Sequence, residues 1–409
     1  MGQVLNIAVV GCGIGGLASA CLLRDQGHGV TVFDQFKSPA PVGSGLIVQP
    51  VGQEVLDRLG VLAAAQTHGV ALTAMRGHSF PGERLALEAS YGKDRFGLSL
   101  HRGTLFQLLL DAAQSRRVEI VTDSFVLGAD EEGSNPYLRI EGGRQAGPFD
   151  LVIDAGGAGS PLSPLVGKPL KFGALWGVVD LPDGERDLGG LLRQRYVAAR
   201  KMAGVLPIGT LPGDPKPKAA VFWSLRTEDF PDWADADFGD WHAEAAALWP
   251  DFGMLAASLR GHNDLTFTAY CHGSLMKPWT GRVFHIGDAA HQASPQLGQG
   301  ANMALLDAAA VSEALEPGLV GARRRYVARR FAHVRVYQAL SALFTPLYQS
   351  DRAIAARIRD DVMTPLATRS LPKRVISRIV AGDVVPPLGL RLGRKEPDAT
   401  PERAAEPGE

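Results

Sequence analysis

The hydrophobic and polar positions fall into two regimes along the chain. Residues 5–10 (LNIAVV) form a short, mostly apolar run, the pattern of a strand buried on both faces at the centre of a parallel sheet. Residues 17–26 (LASACLLRDQ) predict a helix, Gly27 supplies its stop, and residues 30–33 predict a second strand ending at Asp34. Farther on, the spacing predicts helices over 53–59, 102–113 and 303–315 (MALLDAAAVSEAL) and a strand over 282–286. Between Gly167 and Thr280 the pattern changes. Strands are expected over 172–179, 203–208, 219–226 and 265–269, and alanine-rich helices over 235–248 and 252–259. Residues 73–89 read as two more strands of that second sheet, and 211–218 (LPGDPKPK) as an exposed turn. Residues 320–359 read as helical, with arginines on a solvated face, and the charged, proline-rich end from Arg394 as a disordered tail.

The first junction carries chemistry. Gly11-Cys12-Gly13-Ile14-Gly15-Gly16 fits G-x-G-x-x-G between a strand and a helix, and Asp34 ends the next strand eighteen residues after Gly16. Gly11 permits the tight turn, Gly13 lets the main chain approach a pyrophosphate, and Gly16 allows helix to pack closely on strand. The helix start offers unpaired N–H groups and a positive dipole to phosphates, and Asp34 can accept from ribose hydroxyls. This module binds a dinucleotide without choosing between NAD and FAD.

Three further segments narrow the choice. Residues 41–50 (PVGSGLIVQP) read as an extended loop against a ligand, with Gly43 and Gly45 nearest to it. His101-Arg102-Gly103-Thr104-Leu105 opens a helix and sets Arg102 where it could pair with phosphate. Gly287-Asp288-Ala289-Ala290-His291, followed by Pro295, Gly298, Gly300, Ala301 and Asn302, forms a second glycine-rich turn entering a second helix N-terminus. Such a helix end stabilises negative charge.

Composition adds mainly exclusions. Over 409 residues the apolar and charged fractions are 45% and 21%, ordinary for a globular protein with a large core. A formal net charge of -1 gives no pull towards nucleic acid or anionic membrane, and no apolar run approaches the roughly 20 residues of a spanning helix. Cys12, Cys21 and Cys271 match neither a metal spacing nor a disulfide framework, so no metal is expected and a cytoplasmic setting is. The apolar start lacks the basic flank of a signal peptide, and Asn6 stands where a myristoylation signal needs Ser or Thr. Monomer and homodimer both remain open.

In this order, GxGxxG, HRxxLxxxL and GDAAHxxxPxxGQGxN resemble the class A flavoprotein monooxygenases, the para-hydroxybenzoate hydroxylase type, over residues 5 to 345. The resemblance implies an α/β fold: a Rossmann-like FAD-binding domain (1–72, 97–171 and 281–320) with an inserted mixed β-sheet substrate domain (73–96 and 172–280), C-terminal helices (321–393) and a tail (394–409). It implies that Gly11, Gly13, Gly16 and Asp34 hold the ADP half of FAD, with Ile14, Gly15 and Val126 completing that set. By the same resemblance Arg102 meets the pyrophosphate and Asp288 the ribityl chain. Leu297, Gly298, Gly300, Ala301 and Asn302 lie along the isoalloxazine, Gly43 and Gly45 line its other edge, and Pro295 shapes the space at C4a. His291 looks structural, and Cys12 is filler in the turn. The implied reaction is hydroxylation of an aromatic or heteroaromatic small molecule by O2 through a flavin C4a-hydroperoxide, with NAD(P)H as reductant. Trp176, Tyr196, Met202, Phe222, Trp223 and Tyr270 are the candidates to face the substrate, with Arg193 or Arg195 for a carboxylate.

One segment departs from the family pattern. Residues 150–163 (DLVIDAGGAGSPLS) align with DxVxGADGxxSxxR, but Gly156 replaces the acidic residue of the Asp-Gly pair and Ser163 replaces the closing Arg. Asp154, on the same strand face, is the one carboxylate that could stand in. Two other readings stay open: an FAD-dependent oxidase or dehydrogenase taking hydride from its own substrate, and a non-catalytic flavoprotein that binds a reactive intermediate. The WxWxIP signature of flavin-dependent halogenases is absent.

Overall fold

In a computed structural model of the chain, residues 3–38, 43–132, 135–367 and 369–385 are described. The expected tail at 394–409 lies outside them.

The apolar opening run becomes the strand Asn6–Val10, at the centre of a six-stranded sheet. It pairs in parallel with Gly29–Phe33 on one side and Leu151–Asp154 on the other. Alternation divides its side chains between two cores. Ile7 and Val9 meet the helices Ile14–Asp25, Arg102–Ser115 and Gly300–Leu315 on one face. Ala8 and Val10 meet a three-stranded sheet (Val126–Glu132, Asn135–Ile140, Arg144–Ala146) on the other. Burial on both faces is why this strand reads as unbroken hydrophobicity.

The second sheet has eight strands, in the order His291–Gln292, Thr266–Ser274, Lys168–Asp180, Asp214–Arg226, Lys201–Leu211, Leu191–Val197, Ala74–Ser79 and Arg84–Ser90. It is mixed: Leu191–Val197 runs parallel to Ala74–Ser79 and the other pairings are antiparallel. Leu175, Val205, Val221 and Trp223 on one face pack against the helices Phe238–Leu248 and Pro250–Ala256. Met75, Met202, Leu206 and Phe222 form the other face.

Four local expectations change. Residues 45–48 form a strand, Gly45–Val48, paired with Gly97–His101, rather than a loop. Its glycine serves a close crossing: a Cβ on Gly45 would lie 2.6 Å from Ile208 and 2.9 Å from Ala220 of the large sheet. LPGDPKPK is a hairpin whose turn is at Gly213, so most of it is strand. Helix 235–248 is broken into Phe230–Asp235 and Phe238–Leu248, and Asp237 caps the second by accepting from the Gly239 N–H. The solvated arginine face of the long helix Ala322–Tyr348 is interrupted, because Arg330 is buried, as is Arg359 beyond it.

Candidate active site

The first glycine-rich turn is shaped as its sequence requires. Gly11 has φ +103°, and a Cβ there would sit 2.5 Å from the Ala155 carbonyl oxygen. A Cβ on Gly16 would fall 1.9 Å from the Gly11 carbonyl oxygen, whereas one on Gly13 would meet open space. The first helical bond runs from the Leu17 N–H to the Gly13 carbonyl, so the N–H groups of Ile14, Gly15 and Gly16 have no intrahelical acceptor. No side chain caps this end and no acidic residue occupies its first turn. The Asp34 carboxylate accepts from the Cys12 N–H (2.7 Å) and the Phe36 N–H (2.9 Å), which fixes the turn and leaves lone pairs for a ribose. The Val126 side chain is buried in the cluster with Phe33 and Leu138 and does not reach the cavity. Cys12 is filler: burial, then Asp34, push its thiol up to about 12.

Beyond this turn opens a cavity of ≈ 1110 Å³ between the two sheets. Ile14, Gly15, Gly43, Gly45, Arg102, Asp288, Pro295, Leu297, Gly298, Gly300 and Ala301 all line it, whereas Gly11, Gly13, Gly16, Asp34, Val126 and Asn302 do not. Asp288 projects from the turn Gly287–Ala289 with no hydrogen-bonding partner for its carboxyl among the described residues. It is exposed on the cavity it lines, and the surrounding protein raises its pKa, with His291 and Arg102 drawing it back down. Arg102 starts its helix, with its N–H on the Ser44 carbonyl (2.8 Å) and its stem against Gly43, where a Cβ would come within 3.0 Å.

The second glycine-rich turn enters the helix Gly300–Leu315, again without a capping side chain or an acidic first turn. Gly298 is left-handed (φ +59°) and reverses the chain between the turn Pro295–Leu297 and the helix. Asn302 does not face the cavity with its side chain. Its amide accepts from the Gln49 N–H (2.7 Å) and donates to the Ile47 and Gly298 carbonyls (3.1 and 3.0 Å), clamping both walls together.

A fully buried carboxylate on this helix was not singled out from sequence. Asp307 accepts from the Gly287 N–H (2.9 Å), from His291 Nε2 (2.6 Å) and from Arg330 Nε (2.6 Å). It therefore sets the turn that presents Asp288 and holds His291 in a structural role. Its signal was a lone acidic residue inside the apolar stretch MALLDAAA. The relay continues: Arg330 meets His333 Nδ1 (3.2 Å), and His333 Nε2 donates to the Gly382 carbonyl (2.9 Å). Burial and Arg330 push His333 down to about 3, which keeps it neutral in that bridge. The C-terminal segment so tethered supplies Thr364, Ile376, Ile379 and Val380 to the cavity wall, none of them anticipated.

The departure at 154–163 is self-satisfied. Asp154 is fully buried and accepts from His285 Nδ1 (2.7 Å), Ser160 Oγ (2.6 Å) and the Gly156 N–H (3.1 Å). It is thus not available as a substitute carboxylate for a dinucleotide. A Cβ on Gly156 would lie 2.9 Å from Ser160 Oγ, and Ser163 donates to the Ala289 carbonyl (2.5 Å).

Of the substrate-facing candidates, Trp176, Tyr196, Met202, Phe222 and Tyr270 line the cavity. Trp223 is a correction. It follows Phe222 on one strand, so the pleat turns it to the opposite face, where it packs against Trp241 and Phe252. Arg193 and Arg195 also lie off the cavity: Arg193 bonds the Leu188 carbonyl, and Arg195 pairs with Glu83 over Trp249.

These features fit FAD: open space at Gly13, two uncapped helix starts, and on one cavity the Asp288 carboxylate and the Arg102 guanidinium, neither with a side-chain hydrogen bond among the described residues. The comparisons agree. Residues 4–335 match the family described as FAD binding domain. Aurachin C monooxygenase/isomerase of Stigmatella aurantiaca is 26% identical, over 90% of this chain and 96% of its own. The 6-methylpretetramide 4-monooxygenase of Streptomyces rimosus is 27% identical, over 93% of each. Among solved structures, a 2-methyl-3-hydroxypyridine-5-carboxylic acid oxygenase shares the fold with a TM-score of 0.74, at 20% identity over 93% of this chain and 96% of that one. The chain belongs to this FAD-binding family and is a class A, FAD-dependent aromatic monooxygenase.

Proposed function

We propose that this chain hydroxylates an aromatic or heteroaromatic small molecule held in the cavity between its two sheets, using O2, non-covalently bound FAD and NAD(P)H. The observation that carries the reading is one continuous cavity. It joins the Asp288 carboxylate and the start of the helix Gly300–Leu315 to an aromatic wall of Trp176, Phe222 and Tyr270. When bound there, FAD supplies the oxygen-activating chemistry. The protein's part is to bind, orient and exclude water. Gly13 to Gly16 and Asp34 take the ADP half, Arg102 the pyrophosphate and Asp288 the ribityl hydroxyls. The N–H groups at Gly300 and Ala301, which have no intrahelical acceptor, would stabilise negative charge on a reduced flavin held there. Pro295, rigid and without an N–H, shapes the reacting face, while Leu297 and Gly298 border it.

The internally satisfied Asp154 and Ser163 support weak direct reduction by nicotinamide, with little preference between NADH and NADPH. Three free cysteines, two of them buried, support a cytoplasmic setting. Among the described residues no helix is long and apolar enough to cross a membrane.

The test is NAD(P)H and O2 consumption by the purified yellow protein against phenols, anilines, N-heteroarenes and quinolones, with products identified by mass. Aromatic-dependent consumption with one added oxygen atom is the expected result. Reduction by an organic substrate, with no nicotinamide reaction and no oxygenated product, would replace this reading with the oxidase.

A further inference from the structure

The cavity is larger than the roughly 300–1,000 Å³ that holds a drug-sized ligand, so it has room for a flavin ring and an additional ring system. Its substrate side is walled by Met75, Leu192, Leu206, Phe222, Phe344 and Ile379. Arg359 and Glu88 on that side are already paired. Arg359 lies over the Tyr196 and Tyr348 rings (4.7 and 5.6 Å) and bonds Asp360 (2.6 Å) and the Ala198 and Leu347 carbonyls. Glu88 is paired with Arg76 (2.9 Å), and His291 is held by Asp307. Arg102 stands at the opposite end, beside Gly43. Arg260 and Asp264 also line the cavity, at its outer end beyond Trp176, where Arg260 is exposed and its main-chain N–H donates to Asp264. A substrate carboxylate buried against the apolar wall, away from Arg260, would lack a counter-charge, which is costly.

A hydrogen-bonded pair stands on that wall, beside other polar side chains of the cavity such as Gln194, Thr268 and Gln296. Trp176 Nε1–H donates to the Tyr270 hydroxyl oxygen (3.1 Å), and Trp176 is itself packed on Phe222 with ring centroids 4.9 Å apart. The Tyr270 oxygen thus already accepts, and its own proton has no acceptor among the described residues. Burial raises the Tyr270 phenol well above its usual range, so at neutral pH this group donates and does not act as a base. Tyr270 lies on the strand whose far end pairs, through Gly273 and Ser274, with Gln292 and His291 of the second glycine-rich turn.

We propose that the cavity selects an uncharged, extended aromatic ring system bearing a hydroxyl or carbonyl oxygen, and that Tyr270, aimed by Trp176, is the donor that recognises that oxygen. Tyr270 is a specificity-determining residue that orients the ring, and Trp176 is a positioning residue acting through it. The inference rests on the aromatic-hydroxylase reading.

Binding is measured by calorimetry on the resting, FAD-loaded protein without reductant, so failure to bind as proposed is distinct from failure to turn over. The probes are 2-naphthol, naphthalene and 6-hydroxy-2-naphthoate. In the parent, 2-naphthol should bind more tightly than either of the others, and at least tenfold more tightly than the naphthoate. Tyr270→Phe should weaken 2-naphthol about five- to tenfold, the loss of one hydrogen bond, and leave naphthalene within about twofold. Trp176→Phe, which keeps an aromatic ring beside Phe222 and removes the N–H, should shift the same ratio in the same direction. A purely structural tyrosine would weaken both neutral probes alike. Undiminished preference for 2-naphthol over naphthalene in Tyr270→Phe would overturn the proposal. So would tight naphthoate binding that Arg260→Ala abolishes.

Discussion

Asp307→Asn tests how the second glycine-rich turn is held. The change is nearly isosteric, so it removes charge with little change in packing. Asp307 is fully buried and meets Arg330, itself almost fully buried, at 2.6 Å, with His291 on its other oxygen. The interaction with His291 and Arg330 outweighs the cost of burial and holds the Asp307 carboxyl at about 2, against an ordinary 3.8. That depression corresponds to roughly 2–3 kcal/mol of folding free energy at neutral pH. Breaking a buried pair and stranding its cation costs about 3–5 kcal/mol, the same order. At the low end of the usual conversion, about 2 °C per kcal/mol, Tm of the FAD-loaded protein should fall by about 5–10 °C. Flavin retention should fall too, because the Gly287 N–H that Asp307 accepts lies next to Asp288. The pH dependence has a definite sign. A depressed carboxyl stabilises the fold above its unfolded pKa and stops doing so as pH falls through its folded value. The gap between parent and variant should therefore be full above about pH 4 and close between 3.8 and about 2. Adding Arg330→Met should recover part of the loss by removing the stranded cation. Calorimetric melting across pH, with released FAD read by fluorescence, makes the measurement. Equal Tm and equal flavin retention at pH 7 would refute the network's role, and a gap that persists unchanged at pH 2 would refute its electrostatic origin.

Three further outcomes are expected. Asp288→Ala and Arg102→Ala should each weaken FAD retention about ten- to a hundredfold, the range for a charge-assisted hydrogen bond, as read by equilibrium dialysis; retention at the parent's level in both would remove them from the cofactor site. Pro295→Ala should keep its flavin yet release more hydrogen peroxide per NAD(P)H consumed, and unchanged coupling with a true substrate would count against its place at the reacting face. Gly156→Asp should lower Tm by at least several degrees without speeding reduction by nicotinamide, because its Cβ would press on Ser160 Oγ and its carboxylate would meet Asp154. Faster stopped-flow reduction of that variant would show that the segment is a degraded nicotinamide site after all.

Much of the framework was legible in the chain because it rests on local rules. The unbroken apolar run at Asn6–Val10, the glycines at 11, 13 and 16, and the acidic end of the second strand are each required by backbone geometry within a few residues. The long helix after Gly300 was legible for the same reason. Less could be read where partners are distant in sequence. Gly45 looked like loop glycine, but it is required because a strand crosses Ile208 and Ala220. Arg330 looked solvated until Asp307, on another helix, was seen to bury it. Phe222 and Trp223 are adjacent aromatics that composition cannot separate, and only the pleat of the folded sheet sends one to the cavity and the other to the opposite core. Asp154 looked like a spare carboxylate, but the packing of His285 and Ser160 around it closed that option. By itself the sequence determined the glycine-rich turns of an FAD-binding fold and the backbone they need, because main-chain conformation is dictated locally. Which side chains face the ring, and what the cavity can tolerate there, was decided only when distant strands and the C-terminal helices came together, because burial and charge pairing belong to the assembled fold.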